Sequence, residues 1–314
     1  MSNNESHIDF ACTSVLQTME GDIEKCREHR SRIIELDFIP EAVWQSLSSS
    51  NFKSLSSEAD FIFDTDEHDL RGVLAQVLDI ADAGCLHQLH ELKGRPDVKG
   101  GNFKSDKFPL LKNLTIPSKV EPFHRTYDKF VRSVIIPHVS QIMPHETRMY
   151  YQSFPCIRCV RPSEFSIGPH SDISYGFSQA NINFYVPLTA IYGTNSLVLE
   201  SSPGLENWHT IEARYGQVKR FYGALCTHFT PENKTNTTRV SLDFRVIVGS
   251  CWYKEHDHFT RVDGYYTSCV KTDTSTSEGL NSDSGRFQWE RVDPYFVMPD
   301  YRVGFPHTFK NHEK

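Results

Sequence analysis

Apolar residues recur at helical spacing near the start of the chain. Cys12, Leu16, Met19, Ile23, Cys26 and Ile33 fall three to four residues apart or near multiples of it, which predicts a helix from about Ser14 to Glu35. Its apolar seam is narrow. It can pack on its own domain, or it can serve as a dimer contact, since sustained spacing of this kind suits helix pairing. The chain is accordingly expected as a monomer or as a homodimer through this N-terminal helix. A second helix is expected over 66–92, with an acidic first turn that complements the helix dipole. A third is expected over 119–139, ended by Pro137. Between them, "KGRPDVKGGNFKSDKFP" reads as a long loop.

From about Met149 the period shortens to two. "RMYYQSFPCIRCVR", "ANINFYVPLTAIY", "NSLVLES", "QVKRFYGALCTHF" and "TRVSLDFRVIV" are rich in β-branched and aromatic residues and punctuated by Gly, Pro, Asn and Ser. On "NINFYVPL", Asn181, Asn183 and Tyr185 share one face and Ile182, Phe184 and Val186 the other. Helices first and strands after give an α+β fold in which N-terminal helices buttress a sheet sandwich. The expected organisation is one domain over 1–314: a mainly helical N-terminal segment over 1–145, a strand core over 146–262, and a polar loop with a C-terminal tail over 263–314.

Composition narrows the functional classes. The 314 residues are 38% hydrophobic and 23% charged, enough for a core, with a formal net charge of -7 and no long basic run. A nucleic-acid binder needs a clustered cationic surface, so no nucleic-acid partner is expected. No stretch is apolar enough to span a membrane, and "MSNNESHIDF" lacks a basic segment followed by an apolar one. The scattered cysteines, with only Cys156 and Cys159 as a CxxC pair, suit reduced thiols and a cytoplasmic location better than a zinc site of four ligands. The Asn-x-Thr triplets at Asn113, Asn233 and Asn236 then carry no role.

The candidate chemistry begins at "IGPHSDISYG". His170 and Asp172 are alternate residues, which on an extended segment face one way and can share a metal. Alone this pair is weak. Downstream, His228 ends a strand, the loop "TPENKTNTT" follows, and the next strand opens with Arg239-Val240-Ser241. Two histidines and one carboxylate form a facial triad that leaves three positions open on Fe(II). Arg239 can meet the far carboxylate of a bound 2-oxoacid through a charge-assisted bidentate bond, and Ser241 shares its face. His256 and His258 read as loop residues.

Together, "PHSDISYG", "NINFYVPLT", "TNSLVLESSPG" and "YGQVKRFYGALCTHFTPENKTNTTRVSLDFRV" resemble the Fe(II)/2-oxoglutarate-dependent oxygenases, in the branch similar to StrG-like proteins of streptomycin biosynthesis. The resemblance spans roughly Met149 to Val248. It implies a double-stranded β-helix, or jelly roll, with His170, Asp172 and His228 as iron ligands. It also implies Arg239 and Ser241 as the anchor of the 2-oxoglutarate C5 carboxylate, and Asn183 near that cosubstrate. Iron(II), 2-oxoglutarate and dioxygen would together hydroxylate a C–H bond or close a ring, releasing succinate and carbon dioxide. Asn181 and Phe177 depart from the branch's usual Glu and His, which bears on the substrate. A polar mouth of Tyr175, Asn181 and Tyr185, with Arg161 as carboxylate clamp, points to a small, polar, carboxylate-bearing metabolite in natural-product biosynthesis. Algal kainoid synthases are similar in kind. Asp243 and Arg245 read as a buried structural pair away from the mouth. The rival readings are a non-catalytic cupin-like binding or sensor module, and an oxygenase acting on a macromolecule.

Overall fold

The structure, a computed structural model, describes residues 23–28, 39–91, 112–164, 166–253, 264–273 and 287–292. The helices are α1 (Glu41–Leu47), α2 (Ser50–Leu55), α3 (Leu70–Val77), α4 (Pro117–Phe130) and α5 (Ile136–Ile142). The strands are β1 (Ala59–Ile62), β2 (Arg148–Gln152), β3 (Cys156–Val160), β4 (Ile182–Pro187), β5 (Leu197–Leu199), β6 (His209–Ile211), β7 (Gln217–Phe221), β8 (His228–Phe229), β9 (Arg239–Val248), β10 (Tyr266–Asp273) and β11 (Phe287–Arg291). Helices thus combine with two antiparallel sheets. The larger runs β1-β7-β4-β9-β2-β10-β11, with β3 also paired to β9, and the smaller runs β6-β5-β8. Among the described residues no helix is long and apolar enough to cross a membrane.

Strand β9 organises the larger sheet. Its first half pairs with β3, its last residues with β2, and its other edge with β4. Val240, Leu242, Phe244, Val246 and Val248 join one core with Ile182, Phe184 and Val186 of β4 and with helical residues such as Leu70, Leu74, Phe123, Tyr127 and Phe130. The period of two then turns Arg239, Ser241, Asp243 and Arg245 to the opposite face. Register sets Asn183 beside Arg245, Tyr185 beside Asp243 and Arg158 beside Ser241 on that face. The sheet is apolar toward the helices and polar toward the smaller sheet, and both faces are buried.

Several elements differ from the sequence expectation. The helix expected over 66–92 stops after Val77, because Asp79 takes a left-handed φ of 55°. Ile80 N–H bonds to Ala75 O and Asp79 N–H to Gln76 O, the Schellman pattern that usually employs glycine. Residues Ala83–Glu91 follow as a 3-10 helix. Pro137 does not end the third helix. A π-helical turn over Val131–Ile135 leads into α5, and Pro137 sits in the first turn of α5, where no amide hydrogen is required. The tail supplies β10 and β11 to the larger sheet, and the helical segment supplies β1. In the predicted N-terminal helix, residues 23–28 are helical, with Ile23 and Cys26 buried against the chain and Arg27 paired to Glu206. The rest of that helix, the loop over 93–109, and His256 and His258 lie outside the described residues.

Asp128 of α4 fastens the tail. Its carboxylate accepts from the Tyr151 hydroxyl at 2.6 Å, Arg132 Nε at 2.9 Å and Arg291 Nη1 at 2.6 Å, joining α4, β2 and β11. The helix layer meets the sheet at Phe244, whose ring stacks on Phe184 at 5.7 Å and stands edge-on to Tyr127 at 5.2 Å. Phe244→Ala is expected to lower unfolding stability by about 3–5 kcal/mol in denaturant titration, since the site is fully enclosed. A loss under about 1 kcal/mol would mean that this contact does not hold the layers together.

Candidate metal centre and adjoining cavity

His170 and His228 face each other across an isolated antiparallel bridge. His170 N–H bonds to His228 O at 3.2 Å and His228 N–H to His170 O at 2.8 Å. Directly opposed residues project to one side, so the pairing alone brings the two rings together, 4.2 Å between centroids. Two residues on, Asp172 N–H bonds to Gly223 O at 2.9 Å, and a 3-10 turn over Asp172–Tyr175 follows, closed by Gly176 at a φ of 87°. Asp172 Oδ1 lies 3.7 Å from Nε2 of each histidine. Among the described residues this is the cluster of three potential metal donors, all buried and within 4.8 Å of one another.

The surroundings decide which atoms remain for a metal. His170 Nδ1 lies 2.8 Å from Gly168 O and His228 Nδ1 lies 3.0 Å from Cys226 O. A carbonyl can only accept, so each Nδ1 carries the hydrogen and each Nε2 keeps its lone pair. Asp172 Oδ2 accepts from Asn183 Nδ2 at 2.7 Å and from Arg245 Nε at 2.8 Å, whereas Oδ1 is buried without a hydrogen-bond partner. Burial drives the His170 pKa well below its ordinary value, with His228 adding to the effect, and burial lowers His228 as well. Burial alone would raise the Asp172 carboxyl, but the Arg245 guanidinium and the imidazoles hold it below the usual carboxylate range. Two neutral imidazoles and one ionised carboxylate oxygen are what a divalent metal takes.

Beside the cluster lies a narrow cavity of about 30 Å³ between the sheets, lined by Arg158, Asn183, Tyr185, Leu197, Arg239, Asp243 and Arg245 among others. It has room for little more than water, so a larger ligand must part the lining side chains. Asn183 Oδ1, the Tyr185 hydroxyl and Arg239 Nε of this lining are buried without a well-formed hydrogen bond, as is the Ser241 hydroxyl on the same face of β9. Arg239 is 1% exposed, and its Nη1 donates to Asn195 O at 2.9 Å. Among the described residues it has no carboxylate partner, and burial pulls its pKa below the ordinary value. The loop between His228 and Arg239 is pinned by Asn233, whose Nδ2 donates to Val160 O and Thr237 O.

The chain resembles a streptomycin biosynthesis protein. It is 28% identical to StrG of Streptomyces griseus over 179 residues, which cover 55% of this chain and 84% of that protein. The StrG-like resemblance expected from the sequence therefore holds. No family model matches the chain. Solved structures similar to it include the non-heme monooxygenase ThoJ in a nickel complex, with a TM-score of 0.40 and 14% identity over 63% of this chain and 77% of that one. Another is EctD from S. alaskensis with bound Fe, at 0.40 and 12% over 68% and 80%. A third is the non-heme alpha ketoglutarate dependent carbocyclase SnoK from nogalamycin biosynthesis, at 0.37 and 12% over 67% and 84%.

The structure brings His170, Asp172 and His228 together; Asn183 bonds to Asp172, Tyr185 and Arg239 line the same cavity as the two histidines, and Ser241 lies on the Arg239 face of β9 opposite Arg158. It does not bring the expected substrate residues to one place. Arg161 is turned onto Glu164, with Nε and Nη2 at 2.8 and 2.5 Å from Oε1, and does not line the cavity. Asn181 donates to Ser178 O and accepts from the Tyr266 hydroxyl. Tyr175 stands edge-on to His170 at 4.9 Å. Tyr185 lies on the Arg239 side. The cavity arginine of β3 is instead Arg158, bound through Nε to Asp243 Oδ2 at 2.6 Å. The expected buried pair of Asp243 and Arg245 is present at 3.7 Å, but both residues line the cavity and the shortest bond of Arg245 goes to Asp172, so the pair is not remote from the cluster. The even spacing from Arg239 to Arg245 was a legible signal for a shared face. The register that sets Arg245 beside the metal donors was not.

Gly223 is the other residue not anticipated. A Cβ there would stand 2.8 Å from Cγ and Nδ2 of Asn183 and 2.8 Å from the Phe221 ring. Gly223→Ala therefore has to displace the amide that holds Asp172 Oδ2. Anaerobic Co(II) titration is expected to show binding weakened ten-fold or more, the size typical for loss of a residue supporting a metal ligand. Unchanged affinity would show that the Asn183 bond does not orient Asp172.

Proposed function

We propose that this protein is an Fe(II)- and 2-oxoglutarate-dependent oxygenase. On this reading the two sheets form a double-stranded β-helix within one domain over 1–314, and the substrate is a small, polar, carboxylate-bearing metabolite of natural-product biosynthesis. His170 Nε2, His228 Nε2 and Asp172 Oδ1 would hold the iron, which when bound with 2-oxoglutarate and dioxygen supplies the oxidising power for hydroxylation or oxidative ring closure. The observation that carries the cosubstrate reading is Arg239: a guanidinium buried in the cavity that His170 and His228 also line, with no carboxylate at ion-pairing distance among the described residues. A buried unpaired charge is costly, so the position calls for an anionic ligand.

Each residue then has a defined task. Arg239 and Ser241 donate to the far carboxylate of 2-oxoglutarate, with the Tyr185 hydroxyl facing the same space. The turn Gly193–Asn195 aims Arg239 by taking Nη1 on the Asn195 carbonyl. Asn183 keeps Asp172 oriented with Nδ2 and offers Oδ1 to the cavity. Leu197 and Phe221 supply apolar wall. Tyr175, edge-on to His170, would meet the substrate next to the metal. Polar groups in a buried wall favour a ligand that satisfies them, which supports a polar metabolite. The described cysteines are free thiols, which suits a cytoplasmic enzyme.

The test is a succinate-release assay across a panel of small acidic and zwitterionic metabolites, purely apolar compounds, peptides and oligonucleotides. Stimulation by the acidic or zwitterionic set is expected. Turnover only with a peptide or oligonucleotide would overturn the small-molecule reading. In the same assay Arg239→Ala is expected to raise the 2-oxoglutarate requirement ten-fold or more, for loss of a charge-assisted bond worth about 1.5–3 kcal/mol. Lys at this position should restore only a fraction of the affinity, because it lacks the planar fork. Parent-like 2-oxoglutarate binding in Arg239→Ala would move the anchor elsewhere.

A further inference from the structure

We infer that Arg245 is a positioning residue that keeps Asp172 a one-oxygen metal ligand and so preserves an open coordination position. The inference rests on the metal reading above and goes beyond it. A carboxylate can bind a divalent ion through one oxygen or two. A facial triad leaves three positions, and a chelating 2-oxoacid uses two of them, so a second oxygen from Asp172 would fill the place left for dioxygen.

The structure holds the second oxygen away from that place. Asp172 Oδ2 receives Arg245 Nε at 2.8 Å and Asn183 Nδ2 at 2.7 Å, on a carboxylate whose side chain is 1% exposed. Turning Oδ2 toward a metal would strip both donors, one of them a cation with 3% exposure. Breaking a buried charge pair from one side is strongly unfavourable.

Arg245 is itself immobilised. Its guanidinium carbon sits 4.1 Å over the Phe177 ring, and Nη1 reaches Gln152 Oε1 at 3.3 Å. Gln152 is fixed in turn by its bond to Phe154 O at 2.8 Å. The β4–β9 register places Asn183 directly opposite Arg245, so both donors approach Oδ2 from the same wall. A lysine in this place would carry the charge but could not stack on the ring and fork between Asp172 and Gln152.

The experiment counts exchangeable waters on Mn(II) by water-proton relaxation in the full chain, before and after 2-oxoglutarate is added. The parent should hold three waters and release two to 2-oxoglutarate. Arg245→Gln should hold two, a loss of roughly one third, and should bind 2-oxoglutarate at least ten-fold more weakly. Near-UV circular dichroism checks the fold. If Arg245→Gln does not fold, Arg245→Lys, which keeps the buried charge, is read in the same way with the same expected loss. A parent-like water count and 2-oxoglutarate affinity in a folded variant overturn the inference. Failure of the parent to bind Mn(II) would instead contradict the metal reading itself.

Discussion

Arg245 and Asp172 meet where neither charge reaches water, and that ion pair governs what the cluster can do. Asp172 would be an expensive group to bury alone, and its pKa would rise if burial acted unopposed. With the guanidinium on Oδ2 the carboxylate stays ionised, and its free oxygen points between two imidazoles whose lone pairs are turned toward it. The arrangement is built by hydrogen bonds at atoms that a metal would not use: each imidazole Nδ1–H donates to a carbonyl, of Gly168 or Cys226, and Asn183 and Arg245 donate to Asp172 Oδ2.

Strand alternation makes this possible. One face of β9 seals the helix layer with Val240, Leu242, Phe244 and Val246, and the other carries Arg239, Ser241, Asp243 and Arg245 into the space between the sheets. A polar face of this kind cannot be buried unless its groups find partners. Asp243 finds Arg158, and Arg245 finds Asp172. Arg239 and Ser241, with Tyr185 and Asn183 on the paired strand β4, keep atoms without a well-formed bond. Asn183, Tyr185 and Arg239 line one cavity with His170 and His228, which supports the ligand chamber proposed above.

Much of this was legible before the fold was known. The strands carrying the donors are visible because their apolar residues alternate, and the order His170, Asp172, His228 points to the cluster that the structure brings together. What escaped was set by pairing across the chain. The sequence favours Arg161 over Arg158 as the clamp, but the choice depends on the β3–β9 register, which puts Arg158 opposite Ser241 and leaves Arg161 past the strand end. Arg245 looked remote for the same reason. Asp79 ended a helix in a conformation glycine usually takes, and a π-helical turn carried the chain past Pro137. β10 and β11 were hidden in the polar tail, since an edge hairpin needs less apolar sequence than a central strand.

The most direct test of the account is anaerobic titration of the full chain with Fe(II) and 2-oxoglutarate, read by the visible charge-transfer band of the iron–2-oxoacid chelate. The account predicts a band that saturates at one iron per chain, and its absence in folded His228→Ala. No band in the parent, or a band of equal strength in the variant, would contradict it.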